Sequence, residues 1–242
     1  MVTLKTIQSL IDAWAPPHTA EEWDNVGIQI GDPQQAISEI VVALEVDDNV
    51  LSYLEKKQSC CVITHHPLFF KPLKRLRYDQ DLGRIVSIFV SGNHHLFSAH
   101  TNLDVAKDGV NDCLINHYQL NLKGGQPILN GFGTFFDKPK IASITDLAAI
   151  LPCQRQGSKS DEPILRLGFC AGSGHGFINR IIDLKIDTFI TGEVTYHDHV
   201  TCQMNGIRLL CLGHKESEIF ICQRIKDYLV KNNVSLPITV FD

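Results

Sequence analysis

The sequence lacks the features of membrane-spanning, secreted and disulfide-stabilised proteins. None of its apolar runs approaches the roughly 18 consecutive residues that a membrane-spanning helix needs. The first residues do not form the apolar core of a signal peptide, because Asp12 interrupts a segment whose apolar residues recur at helical spacing. The chain contains eight cysteines, but no two of them form a C-x-x-C pair and most lie in apolar runs. We therefore expect a cytoplasmic protein with buried free thiols, without disulfides or a thiolate zinc site.

The sequence also has no excess of basic residues. It contains 22 Lys and Arg against 27 Asp and Glu, which gives a formal net charge of −5. Nucleic-acid binding needs a basic surface, because the release of counterions from phosphates drives it. The composition therefore argues against a nucleic-acid partner. Residues 71–77 are a dense basic segment, which is either a solvated charged loop, the simpler interpretation, or a local basic patch.

Strands and helices are predicted to alternate along the chain. Its 242 residues, 44% of them hydrophobic, suffice for one large or two small domains. Continuous apolar strands, such as 40–44 and 60–64, are typical of mostly parallel sheets covered by helices on both faces. We therefore predict an α/β fold with two α/β halves, residues 1–125 and 126–242, with the boundary within 121–140.

The middle of the chain has weaker patterns. Residues 128–136 are predicted to form an edge strand. Ser143 and Asp146 resemble a capping box before a helix over 147–151. Residues 154–162, rich in Gln and Ser, are predicted to form a polar loop.

Histidines and carboxylates follow several predicted strands. His65 and His66 come directly after the buried strand 60–64, and His100 and Asp104 follow a strand over 96–99. Ligands of open α/β sheets bind outside the carboxyl ends of the strands. Pro67 favours the end of the strand at this point. In the loop that follows, two adjacent imidazoles can reach one site, where each imidazole would bind one of two metal ions. Asp104 can bridge two ions, whereas His100 is either a ligand or a group that orients one.

A third cluster follows a later apolar strand. His214 and Glu218 are four residues apart at the start of a predicted helix, so their side chains share one face. A single strand-end histidine is more often a hydrogen-bonded structural residue, and Glu218 alone would be an ordinary exposed helical acid. Three such clusters at strand ends leave two interpretations, a metal site and a purely structural role.

Two further segments allow alternative interpretations. In 190–199, Glu193 is a candidate general base and His197 a candidate proton relay or substrate contact, but the same residues can form a helix-capping turn. The glycine-rich turn 172–176 resembles an anion-binding turn, although it lacks the full dinucleotide and P-loop patterns. His94 and His95 precede their strand, and we predict a structural role for both.

The chain resembles the Nif-three-like family, whose members are often described as type-two GTP cyclohydrolase I homologues. The matching segments run in the family's order through nearly the whole chain: E-x-W-D-N-V-G-x-Q-x-G-D at 21–32, T-H-H-P at 64–67, S-A-H-T-N-L-D at 98–104, G-S-G at 172–174, T-G-E at 191–193 and G-H-x-E-S-E at 213–218. Lys215 departs from relatives that carry an aromatic residue or histidine there.

The resemblance implies a Nif-three-like fold, a toroidal homohexamer and a dinuclear metal centre. Its implied ligands are His65, His66, Asp104, His214 and Glu218, the set that the strand ends also suggest. Three imidazoles and two carboxylates suit zinc, iron or manganese better than magnesium or calcium.

The function expected from the resemblance is metal-dependent hydrolysis of a purine nucleotide ring, with Glu193 or His197 moving the proton and residues 172–176 or Lys215 holding phosphate. One alternative is a metal-handling or regulatory interaction protein, since activity transfers poorly by resemblance alone. Phosphoester hydrolysis is a third, weaker alternative.

Overall fold

The computed structural model describes residues 1–141, 143–158 and 162–242. The helices are α1 (Leu4–Trp14), α2 (Asp48–Leu54), α3 (Asp81–Ser91), α4 (Thr101–Asp104), α5 (Val110–His117), α6 (Ile144–Ile150), α7 (Ile178–Asp183), α8 (Tyr196–Met204), α9 (His214–Glu218) and α10 (Phe220–Lys231). The strands are β1 (Gly27–Ile30), β2 (Glu39–Ala43), β3 (Cys60–Thr64), β4 (His95–Ser98), β5 (Gln126–Ile128), β6 (Gly133–Asp137), β7 (Gln154–Gly157), β8 (Arg166–Ser173), β9 (Thr188–Glu193), β10 (Arg208–Cys211) and β11 (Ile238–Val240). Within these ranges no helix combines the length and apolar character needed to cross a membrane.

The first sheet has the strand order β1-β4-β3-β2-β11 and is parallel except for β1. The strands β2, β3 and β4 are buried along their whole length. This pattern is typical of parallel strands that helices cover on both faces. Ala43 pairs with Thr64, and Thr64 pairs with Ser98. The segments that follow these three strands therefore start side by side at one edge of the sheet.

The second sheet has the order β5-β6-β8-β9-β10-β7. The strands β8, β9 and β10 are parallel, and the outer strands pair antiparallel. Neighbouring residues such as Phe189 and Ile190 belong to different hydrophobic clusters, because successive side chains point to opposite faces. Residues of α5 and α6 complete one cluster, and residues of α7 and α8 the other. The α/β class with two sheets flanked by helices is thus confirmed, although the second sheet is mixed rather than mostly parallel.

The compact units of the chain differ from the predicted division within 121–140. The first unit comprises residues 1–103 together with 221–242, and the second comprises 104–220. The chain returns to the first unit because β11 pairs in parallel with β2. Thr239 of β11 also donates a hydrogen bond of 3.0 Å to Glu39 of β2, whose carboxylate pairs with Lys57 at 2.8 Å.

Two predictions for the middle of the chain are corrected by tertiary pairing. Residues 128–136 contain the turn and second strand of a hairpin, β5 and β6, rather than one strand. Residues 154–157 form β7, which pairs with the buried strand β10, rather than part of a polar loop. Residues 159–161 of that predicted loop lie outside the described residues. The cap at Ser143 is confirmed, since its side chain accepts a hydrogen bond from the backbone N–H of Asp146.

Candidate metal centre

Three imidazoles converge at the edge of the first sheet. Ring nitrogens of His65, His66 and His100 all lie within 4.8 Å of one another. His65 is fully buried, and its Nδ1 lies 2.9 Å from the carbonyl oxygen of Ala99. Because a carbonyl only accepts, Nδ1 carries the proton and Nε2 carries the lone pair that a metal ion needs.

Asp24 fixes the orientation of His100. Its Oδ1 lies 2.9 Å from Nδ1 of His100, and its Oδ2 accepts a hydrogen bond of 3.0 Å from the backbone N–H of Thr101. Burial alone would raise the pKa of Asp24, but the hydrogen bonds from His100 and Thr101 outweigh it and lower the pKa to about 2. The ionised carboxylate therefore holds the proton of His100 on Nδ1, which directs Nε2 away from Asp24.

The segment that contains Asp24 also positions the loop after His66. The side-chain amide of Asn25 donates to the carbonyl oxygen of Phe69 at 2.8 Å, and the backbone N–H of Phe69 donates to Oε1 of Gln29 at 3.1 Å. Gln29 in turn donates to the carbonyl oxygen of Asn25 at 2.7 Å. The W-D-N-V-G-x-Q part of the sequence thus supports the histidine cluster from one side.

A second group of donors lies in the second unit, where α9 begins directly after β10. Nε2 of His214 lies 3.3 Å from Oε2 of Glu218, four residues later on the same helical face. Nδ1 of His214 lies 3.0 Å from Oε1 of Glu193, the last residue of β9. Its hydrogen bond with Glu218, opposed by burial and aided by Glu193, raises the pKa of His214 to about 9. The carboxylates of Glu193 and Glu218 therefore favour positive charge at both ring nitrogens of His214.

Gly172 makes room for the carboxylate of Glu218. A Cβ atom at this position would lie 2.0 Å from Oε1 of Glu218 and 3.4 Å from Nε2 of His214. The backbone N–H of Gly172 donates to Oγ of Ser217 at 2.9 Å, which holds α9 against β8. Only a residue without a side chain allows this approach.

Asp104 belongs to the same unit, and its carboxylate lies within electrostatic range of the Cys170 thiol. Burial raises the pKa of the Cys170 thiol well above its usual value, and the negative charges of Asp104 and Glu218 raise it further. Both carboxylates must therefore lie close to Cys170. The second unit thus places the carboxylates of Asp104 and Glu218 near the same buried thiol.

The donor sets fit a divalent metal ion. Two ligands bound to zinc at about 2.0–2.1 Å in tetrahedral geometry are about 3.3–3.4 Å apart. The separation of 3.3 Å between His214 Nε2 and Glu218 Oε2 matches this value. The carboxylates behind His100 and His214 are the partners that metal-binding histidines usually have. Nitrogen and carboxylate donors suit zinc, iron or manganese.

The predicted metal ligands are divided between the two units. His65 and His66 lie in the first unit, at the end of β3, whereas Asp104, at the end of α4, and the pair His214 and Glu218 of α9 lie in the second. Of the predicted catalytic residues, Glu193 contacts His214. His197 is exposed on the first turn of α8, between Thr195 and Asp198, which form a capping box.

The turn 172–176 does not have the geometry of an anion site. The N–H groups of Gly172 and Gly174 donate to Ser217 Oγ and to the carbonyl oxygen of Glu193, so the protein already uses them. The short helix α7 begins only at Ile178. The turn instead receives the side chains of α9.

Sequence reasoning missed two carboxylates that contact the histidines. Asp24 orients His100, and Oε2 of Glu45 lies 3.5 Å from Nδ1 of His66. Glu45 follows the buried strand β2, so its place at a strand end was a usable signal. Asp24 follows no such strand, and only its position in the matched segment 21–32 pointed to it.

The comparisons with known proteins agree over the whole chain. The family model described as Duf34/NIF3 (NGG1p interacting factor 3) matches residues 2–242. The GTP cyclohydrolase 1 type 2 of Helicobacter pylori is 33% identical over 225 residues, which cover 90% of this chain and 88% of the relative. The GTP cyclohydrolase 1 type 2 homolog of Campylobacter jejuni is 31% identical over 249 residues, which cover 98% and 94%.

A solved structure supports the same relationship. Reduced HcgD from Methanocaldococcus jannaschii is 27% identical and superimposes with a TM-score of 0.87, covering 100% of this chain and 98% of that one. The Nif-three-like fold implied by the resemblance is therefore confirmed. With a family match over residues 2–242 and relatives above 30% identity, the chain belongs to the Duf34/NIF3 family.

Proposed function

We propose that the chain binds two divalent metal ions and is a metal-dependent hydrolase of a purine nucleotide. The proposed metal ligands are His65, His66, Asp104, His214 and Glu218. The observation that carries the proposal is the convergence of three imidazoles within 4.8 Å, two of them following the buried strand β3. The relative from Helicobacter pylori named GTP cyclohydrolase 1 type 2 supports the choice of reaction.

The chain's own residues have separate tasks in this reaction. When bound, a pair of metal ions would lower the pKa of water and polarise the bond under attack. Glu193 holds His214 through Oε1, and its other oxygen is available to take a proton from water. His197 is the second candidate for moving the proton. Lys215, an exposed residue next to His214 in α9, would bind phosphate.

The proposal is tested by turnover of GTP with protein loaded with zinc, iron or manganese. Asp104→Ala should abolish turnover, whereas Asp183→Ala, an exposed acid at the end of α7, should leave it unchanged. Full activity of Asp104→Ala, or absence of turnover by the wild type with all three metals, refutes the hydrolase.

Glu193→Gln separates two roles of this residue. The glutamine oxygen can still accept from His214, so metal affinity should stay close to that of the wild type. The amide cannot take a proton, so kcat should fall. A fall in metal affinity with unchanged kcat would instead make Glu193 only a positioning residue.

A second candidate function is metal handling. The side chains of His66 and His214 are 25% and 37% exposed, which allows exchange of an ion with a partner. The family description also names an interacting factor. Such a protein should transfer its metal within minutes to a competing chelator and turn over no substrate, whereas a hydrolase should retain its metal during turnover.

The proposed assembly is a homohexamer, as the resemblance implies, and the proposed location is the cytoplasm, where thiols stay reduced. Light scattering coupled to gel filtration should give six chain masses. A monomer or dimer at micromolar concentration would contradict this assembly without affecting the metal proposal.

A further inference from the structure

A cavity of about 420 Å³ opens in the second unit beside the carboxyl ends of β9 and β10. Its polar side chains come from Gln154 and Gln156 of β7, from Glu193 and from Glu216 of α9. Its volume lies within the roughly 300–1,000 Å³ of ordinary small-molecule sites. Because Oε1 of Glu193 lies 3.0 Å from His214, the cavity adjoins a proposed metal ligand.

Gly213, which lines the cavity, allows Glu216 to lie in its wall. A Cβ atom on Gly213 would lie 2.1 Å from Oε2 of Glu216, and this glycine has φ +102°, which other residues avoid. The carboxylate of Glu216 therefore lies directly against the backbone of the turn before α9.

The charges that line the cavity select the kind of ligand. Two carboxylates and two amides face it, and its described lining contains no lysine or arginine. This lining repels phosphate and favours a group that donates several hydrogen bonds. Glu193 already uses one oxygen for His214, and no ion pair of Glu216 occurs among the described residues. Glu216 is therefore the carboxylate with both oxygens available.

We propose that this cavity binds the base of a guanine nucleotide, with Glu216 accepting from the N1–H and the 2-amino group. This inference rests on the proposed function and assigns the base to a place within the same site. The two donors of guanine point in the same direction, so they match the two oxygens of one carboxylate. Gln154 and Gln156 can donate to the acceptor atoms on the other edge of the base. The phosphates lie outside the cavity.

This geometry sets an order of affinities. Inosine lacks the 2-amino group and leaves one oxygen of Glu216 without a donor. Adenosine presents the N1 lone pair to the carboxylate, which is repulsive. The affinity should therefore fall from guanosine to inosine by about tenfold, the value of one charged hydrogen bond, and fall further for adenosine.

The test is calorimetric titration with guanosine, inosine and adenosine 5′-monophosphates, which measures binding without turnover. Glu216→Gln keeps one acceptor, so it should remove the preference for guanosine over inosine and leave the inosine affinity within about threefold. Glu55→Gln, an exposed acid at the end of α2, is the matched control and should keep the preference.

The same titration is repeated with Asp104→Ala, so that the two proposals fail separately. A preference of this variant for guanosine over inosine, combined with loss of GTP turnover, supports both the guanine cavity and the hydrolase. Preference without turnover by the wild type overturns the hydrolase alone. No binding of any nucleotide, a preference for adenosine, or an unchanged guanosine-to-inosine ratio in Glu216→Gln overturns the guanine cavity.

Discussion

Oδ1 of Asp24 lies 2.9 Å from Nδ1 of His100, although 76 residues separate the two in the chain. The carboxylate is completely shielded from solvent, and the ring is mostly so. An ionised carboxylate in this position fixes both the tautomer and the direction of the imidazole. The third ring of the histidine cluster therefore depends on a residue of the segment before β1.

Asp24→Asn tests this dependence. Asparagine keeps the size of the side chain but loses the charge, so His100 loses its fixed tautomer. Because the ring of His100 packs against the rings of His65 and His66, two proposed ligands, we expect metal affinity to fall by about 10–100-fold, as on loss of other groups that orient metal ligands. Competition with a chelator of known affinity measures the change.

The control for this variant is Asp48→Asn, which changes an exposed acid at the start of α2. It should bind metal like the wild type. Equal metal affinity of Asp24→Asn and the wild type would show that Asp24 only stabilises the loop around Thr101.

Gly172→Ala should damage the second group of donors. The new Cβ atom would lie 2.0 Å from Oε1 of Glu218, so this carboxylate has to leave its place beside His214. Gly176→Ala is a matched control, because Gly176 also has positive φ but nothing within 4 Å of its Cβ position. Both variants should lose about 1–2 kcal/mol of unfolding free energy from the backbone strain.

Only Gly172→Ala should also lose metal. Denaturant unfolding and elemental analysis of both variants separate the strain from the clash. Metal contents that fall equally in the two variants would contradict the role of Gly172 as the space for Glu218.

Buried histidines of the first sheet should make the protein sensitive to mild acid. Burial lowers the pKa of His94 and His95, while Asp32 partly opposes this at His95. His94 is held as a neutral ring, since Nδ1 accepts from the N–H of Cys60 and Nε2 donates to the carbonyl oxygen of Leu54. Neither ring nitrogen of His95 has a hydrogen-bond partner among the described residues.

The direction of the pH effect follows from these lowered pKa values. Above about pH 6.5, the ordinary value for histidine, both states carry neutral rings and stability does not depend on them. Below this value the unfolded chain takes up protons that the folded protein does not, so the free energy of unfolding falls as the pH falls. The slope should approach about 1.4 kcal/mol per pH unit for each histidine.

His95→Leu removes one of these two groups. Urea unfolding between pH 7 and 5 should show a shallower loss of stability than in the wild type. His18→Leu, at an exposed position, is the control and should leave the slope unchanged. An unchanged slope in His95→Leu would refute this source of acid sensitivity.

Local patterns predicted much of the fold and of the candidate site. The position of His65 and His66 at a strand end followed from the apolar run of β3, because buried parallel strands carry a continuous apolar signal. The helix-capping turn that was one interpretation of residues 190–199 is present, since Thr195 and Asp198 form a capping box at the start of α8. His214 and Glu218 share a face because helical spacing determines it.

Features that depend on distant partners could not be predicted. The strand β7 contains only Gln, Arg and Gly, and its pairing with buried β10 forms it. The pairing of β11 with β2 joins residues about 200 positions apart. The contact of Gly172 with Glu218 likewise depends on how α9 packs on β8. Such contacts arise from tertiary packing, which no local pattern records.

The most direct test of the account is elemental analysis of untagged protein purified without chelator, beside the double variant His65→Ala/Asp104→Ala. The account predicts about two zinc, iron or manganese ions for each wild-type chain and their loss in the variant. Wild-type protein that is free of metal and takes up none of these ions when they are added would contradict it.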